Sequence, residues 1–136
     1  SFVSKLKHED INCLNVFTNE ERAILEYIES DKERKIRKAI HNAMVINEKY
    51  AVVYSSVDPS LLGNRMCIEL NVDVAFVINM ETMRISARTA SDNVDVGMMM
   101  KECFGGGGHA KAGGAIIKDC TVMPHLLIEN TLKEME

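Results

Sequence analysis

Four consecutive glycines, Gly105, Gly106, Gly107 and Gly108, run directly into His109, Ala110 and Lys111. Glycine has no Cβ, so it takes positive φ without steric cost and lets the backbone approach a ligand closely. Successive backbone N–H groups in such a loop make an anion nest. Beside it, His109 can donate a hydrogen bond to a phosphate oxygen and Lys111 can add a point charge. The small residues that follow, Ala112, Gly113, Gly114 and Ala115, allow tight packing behind the loop. Most glycine runs are flexible linkers. This one has no serine or polar company, and it joins a helix with an apolar stripe to a core strand.

The second chemical feature is the string Ile85-Ser86-Ala87-Arg88-Thr89. Side chains alternate along a strand, so Arg88 shares a face with Ser86 and Arg84. An arginine fork at a strand end holds a phosphate bidentately, with Ser86 as a secondary donor. The candidate phosphate-binding residues are therefore Ser86, Arg88, Gly105, Gly106, Gly107, Gly108, His109 and Lys111.

Other chemistries fail on spacing. The glycine run lacks the Gly-Lys-Ser/Thr ending of a nucleotide-hydrolysing phosphate loop, and it does not follow a strand as a dinucleotide fingerprint does. His8-Glu9 has no second histidine at the zincin spacing. His8, His41, His109 and His125 are isolated from one another, so no two-metal site is expected and no catalytic residue is assigned. Cys13, Cys67, Cys103 and Cys120 form no Cys-x-x-Cys pair and read as reduced, mostly buried small hydrophobes.

The elements that must carry these residues follow from periodicity. Thr18-Asn19-Glu20-Glu21 fits a capping box, a further helix start is expected at Asp31, and together they predict a helical arm or hairpin. Tyr50 to Ser56 and Val72 to Asn79 read as buried strands, with a helix from Ser60 to Leu70 opened by Asp58-Pro59 between them. Met83 to Thr89 forms a hairpin with the preceding strand. Val96, Met99, Met100 and Cys103 recur at helical spacing, so Asp95 to Cys103 is a helix stopped by Gly105. Gly113 to Ile117 reads as a closing strand and Pro124 to Met135 as a final amphipathic helix. The order predicts an α/β fold: a mixed β-sheet flanked by helices, with an N-terminal helical arm over 1–48 and a binding domain over 49–136.

With 136 residues, 46% of them hydrophobic, the chain can bury one core. The net charge of −4 is unevenly spread. From Arg84 to Lys118, five basic residues face three acids for a net +2, which leaves −6 on the remainder, so a positive patch sits on an acidic body. No apolar stretch suits a membrane span and the first residues do not resemble a secretory signal, so a cytoplasmic location is expected.

The strings Arg84-Ile-Ser-Ala-Arg-Thr89 and Phe104-Gly-Gly-Gly-Gly-His-Ala-Lys-Ala-Gly-Gly-Ala115 together resemble the DHH-associated domain. This is the C-terminal half of DHH-superfamily phosphoesterases, among them the nanoRNase/phosphoadenosine phosphatase group and the RecJ-like exonucleases. The resemblance covers roughly Tyr50 to Asp119. It implies that a separate N-terminal domain with an Asp-His-His motif binds two manganese ions, while this domain holds the phosphate and nucleotide of the substrate. Carried onto this sequence, Arg88 and Ser86 would grip a phosphate, Gly106 to Gly108 would offer amides, and His109 would reach toward the cleft. No Asp-His-His string occurs here, so the chain reads as a fragment that needs a DHH catalytic domain in cis and is inactive alone. The expected ligand is a short RNA or DNA oligonucleotide or a phosphorylated nucleotide, and a homodimer is admitted. The competing reading is a stand-alone nucleic-acid-binding module.

Overall fold

The computed structural model describes residues 17–135. The chain divides into two compact units after Lys35. Helix α1 (Asn19–His41) opens on the expected capping box. Thr18 Oγ1 accepts from the Glu21 N–H at 3.1 Å, and Glu21 Oε1 accepts from the Thr18 N–H at 3.3 Å. The helix start expected at Asp31 is not there, because the helix runs straight through it. Asp31 instead pairs along the helix surface with Arg34 and, at 3.1 Å, with Lys35.

From Ile36 onward the chain builds a layered α/β unit. Its elements are β1 (Met44–Ile46), β2 (Tyr50–Tyr54), α2 (Pro59–Glu69), β3 (Val74–Asn79), β4 (Arg84–Thr89), α3 (Val96–Phe104), β5 (Gly107–Gly108), β6 (Ala112–Ile116) and α4 (Pro124–Glu134). The six strands form one mixed sheet in the order β1-β2-β3-β4-β6-β5. Only β2 and β3 are parallel, with α2 as the crossover between them; the other neighbours run antiparallel. This is the mixed α/β fold that the sequence predicts. Met44–Ile46, which falls within the helical arm expected over 1–48, instead pairs with β2 as an edge strand.

Helices cover both faces of the sheet, which explains why β3 reads as an unbroken apolar run. Val74, Phe76 and Ile78 turn toward Val96 and Met100 of α3 and Ile128 and Leu132 of α4. Ala75 and Val77 turn the other way, toward Ile36 and Ala39 of α1 and Leu62 and Met66 of α2. Each large side chain so buried contributes about 1.5–3 kcal/mol relative to exposure.

At β4 the two-sided burial stops. Ile85 and Ala87 enter the α3/α4 core, while Arg84, Ser86 and Arg88 stand on the opposite face. Of the cysteines, Cys67 is buried, Cys103 half-buried and Cys120 exposed, all as free thiols. The expectation of buried small hydrophobes therefore holds at Cys67 and fails at Cys120, while Cys13 and His8 lie outside the described residues. No helix among the described residues is long and apolar enough to cross a membrane.

Candidate phosphate-binding site

The glycine run is a helix cap followed by an edge strand, and the expected open nest does not form. Asp95 caps α3 by accepting from the Met98 N–H at 2.9 Å, and Gly105 ends it in the left-handed region at φ 70°. The Gly105 N–H donates to the Lys101 carbonyl at 3.3 Å and the Gly106 N–H to the Met100 carbonyl at 2.9 Å. Gly107 and Gly108 then form β5 opposite Gly114 and Gly113. His109 and Ala112 exchange two backbone bonds, at 2.8 and 3.2 Å, around the tight turn Ala110-Lys111. Antiparallel alternation makes Gly107 and Gly114 the next bonded pair and turns the Gly108 N–H outward along the sheet edge. Three of the four glycine amides are thus committed to helix or ladder.

What the glycines create is a floor. Arg84, Ser86 and Arg88 of β4, Gly107 and Gly108 of β5, and Ala112, Gly113 and Gly114 of β6 line a groove of about 400 Å³. Ser86, Gly114 and Gly107 stand in one row across three strands, so the serine hydroxyl faces two positions without side chains. Packing explains Gly106, where a Cβ would stand 2.0 Å from the Gly114 carbonyl oxygen. It does not explain Gly107, where a Cβ would meet nothing within 4 Å.

Arg88 lies along this floor. Its Nη1 donates to the Ala87 carbonyl at 2.9 Å and the Gly113 carbonyl at 3.4 Å, and its Nη2 donates to Ser60 Oγ at 3.1 Å. Arg84 leans in from the other end, with Nη2 3.6 Å from where a Gly114 Cβ would be. Neither arginine forms an ion pair among the described residues. Two uncompensated guanidinium groups over bare backbone make the groove electropositive on a chain of net charge −4.

The DHHA1 domain family matches residues 47–135 of this chain, which takes in the sheet from β2 onward and the whole groove. The chain belongs to the DHHA1 domain family. It is 32% identical over 101 residues to Oligoribonuclease NrnB of Bacillus subtilis (strain 168), covering 74% of this chain and 24% of that relative. The chain therefore spans about a quarter of the length of the curated relative it matches. The fold is similar to an exopolyphosphatase-related protein from Bacteroides fragilis, with a TM-score of 0.63 at 18% identity, covering 97% of this chain and 42% of that one. It is also similar to the pGpG-specific phosphodiesterase PggH from Vibrio cholerae, with a TM-score of 0.58 at 14% identity, covering 96% and 48% respectively.

In this DHHA1 domain the sequence-derived candidates do not all converge. Ser86, Arg88, Gly107 and Gly108 line the groove; Gly105 and Gly106 sit behind it as the α3 cap. His109 is exposed at the hairpin turn and is not among the lining residues. Lys111 turns away, donating to the Ser91 carbonyl at 2.6 Å and to Asp92 Oδ1 at 2.8 Å. That ammonium holds the Asp92 carboxyl below the usual carboxylate range. Arg84, noted in the sequence only as sharing a face, lines the groove, and Ser60 of α2 reaches it through Arg88. Among the described residues no group of three or more His, Cys, Asp or Glu side chains comes together to hold a metal ion.

Proposed function

We propose that this chain is the substrate-binding domain of a DHH-family, manganese-dependent phosphoesterase, and that its groove grips a phosphate of a nucleotide or short oligonucleotide. The observation that carries the reading is the Arg88 guanidinium laid over the sheet beside Ser86 and Arg84, with no carboxylate among the described residues paired to it. Charge-assisted N–H···O bonds from a planar fork match phosphate geometry. A groove of about 400 Å³ lies near the small end of ligand sites, which suits one nucleotide unit. No aromatic side chain lines it, so a stacking platform for a long single strand has no support. An oligoribonuclease relative and a fold neighbour named for pGpG agree with a short substrate.

The hydrolytic step, and manganese with it, belongs to a DHH catalytic domain joined in cis. His109, exposed at the hairpin turn, completes the grip when that domain faces it. Titrating the chain with the 5′-phosphorylated dinucleotide pApA by NMR tests the reading. Saturable shifts at Ser86, Gly107 and Gly108 that vanish in Arg88→Ala, without turnover in manganese, are expected. Steeply salt-dependent binding of structured RNA, with no response to pApA, would instead favour a stand-alone RNA-binding module.

A further inference from the structure

Helix α2 lies outside both strings that mark this family in the sequence, yet one of its stripes is turned toward a single side chain. Ser60, Gly63 and Cys67 fall at i, i+3 and i+7, and all three meet Arg88. Ser60 Oγ accepts from Arg88 Nη2 at 3.1 Å, and Cys67 Sγ donates to the Arg88 carbonyl at 3.5 Å. At Gly63 the arginine's own methylenes fill the space a side chain would take. A Cβ there would stand 2.7 Å from Arg88 Cγ and 2.9 Å from Arg88 Cβ.

We infer that Ser60 and Gly63 are positioning residues, which hold the Arg88 fork in its phosphate-accepting orientation before any ligand arrives. The inference rests on the proposed phosphate grip and deepens it. A free arginine side chain samples many rotamers, and ordering it on binding subtracts from affinity. Here three acceptors, from Ala87, Gly113 and Ser60, occupy Nη1 and one side of Nη2. A guanidinium carries five N–H groups. Nε–H and one Nη2 N–H are therefore left without a protein acceptor among the described residues, and these are the donors available to a phosphate in the groove that Arg88 lines. Ser60 is itself fixed in the first turn of α2, where its N–H donates to Asp58 Oδ1 at 2.9 Å. The glycine at 63 sets the height at which the arginine stem crosses α2, and the serine sets where its tip stops.

The experiment compares wild type, Ser60→Ala, Ser60→Thr, Gly63→Ala and Arg88→Ala for pApA affinity, thermal stability and the NMR signal of Arg88 Nε–H without ligand. Loss of one exposed hydrogen bond, in the ordinary net range, predicts about two- to tenfold weaker pApA binding for Ser60→Ala with only a small change in melting temperature. Ser60→Thr restores the affinity, and Ser60→Ala has no further effect in the Arg88→Ala background. The Arg88 Nε–H signal, sharp in wild type, broadens in Ser60→Ala and shifts in Gly63→Ala. If wild type binds pApA and both Ser60→Ala and Gly63→Ala bind equally well, the positioning role is overturned. If wild type does not bind pApA at all, the proposed function fails instead, and the ligand-free Arg88 signal distinguishes the two results.

Discussion

Gly97 in α3 stands directly against Gly108 in β5: a Cβ on Gly97 would lie 2.6 Å from the Gly108 carbonyl oxygen and 2.8 Å from that of His109. Helix propensity alone makes Gly→Ala favourable by about 1 kcal/mol in a helix interior. Here the neighbours are backbone atoms of a bonded hairpin, which cannot rotate away as a side chain would. The conflict between propensity and contact is resolved by overpacking, which typically costs about 1–3 kcal/mol. Gly97→Ala is therefore expected to lower unfolding free energy in urea. It should also weaken pApA binding, because β5 forms one side of the groove floor. A stabilised Gly97→Ala protein would show that the helix and hairpin are not in this contact.

The four consecutive glycines are expected to separate into two classes. Gly106→Ala places a methyl 2.0 Å from the Gly114 carbonyl oxygen, so it should destabilise the fold by about 2 kcal/mol or more. Gly107→Ala meets nothing within 4 Å and should change stability by no more than about 0.5 kcal/mol. Its methyl would nevertheless stand in the Ser86–Gly114 row, so pApA affinity should fall about tenfold, equivalent to about 1.4 kcal/mol. Paired denaturation and titration curves read both quantities. Unchanged affinity in Gly107→Ala would mean that the ligand does not approach this floor.

Thiol chemistry supplies a third test. Burial pushes the Cys67 and Cys103 thiols up from the ordinary thiol value. The thiolate is the reactive form, so both should alkylate more slowly than exposed Cys120 near pH 8. Site-resolved mass spectrometry after a short iodoacetamide pulse should give the order Cys120, Cys103, Cys67. The linked stability has a defined sign. Folding favours the neutral Cys67 thiol, so its contribution is intact below the unfolded-state thiol value and is lost as pH rises through the higher folded value. Fast labelling of Cys67 in the native protein would contradict its packing between α2 and the sheet.

The legible parts of the fold and site were those set by neighbours in sequence. Thr18 with Glu21, Asp58 with Pro59, and Gly105 after the apolar stripe of α3 are local capping devices, and each sits where its spacing puts it. The alternation of β4 likewise placed Arg84, Ser86 and Arg88 on one face. Asp31 misled because a helix-interior aspartate with cations three and four residues on is stabilised by the same charges that a helix start would offer. Gly107 and Gly108 carry no strand propensity, and their pairing is dictated by Gly114 and Gly113 across the turn. Lys111 looked like a ligand group because nothing in its spacing shows that it folds back onto Asp92, 19 residues away. The Gly63–Arg88 approach is equally silent in sequence, since only packing brings α2 against β4.

The last prediction concerns a helix cap supplied from a distant strand. Met123, the N-cap of α4, makes no side-chain capping bond, and Pro124 has no N–H to satisfy. The His125 N–H instead donates to the Tyr54 hydroxyl at 3.1 Å, from the end of β2, 71 residues earlier in the chain. The same hydroxyl lies 2.6 Å from His125 Nδ1. One phenol oxygen thus accepts from the backbone and bonds the imidazole ring of the same residue. Tyr54→Phe keeps the ring and removes both bonds, so it should cost about 1–2 kcal/mol, the range of a lost N-cap. His125→Ala keeps the backbone bond and should cost less. Hydrogen exchange at the His125 amide should accelerate in Tyr54→Phe and remain slow in His125→Ala, because the first variant removes the acceptor and the second does not. Equal exchange in the two variants would mean that the tyrosine hydroxyl does not cap α4.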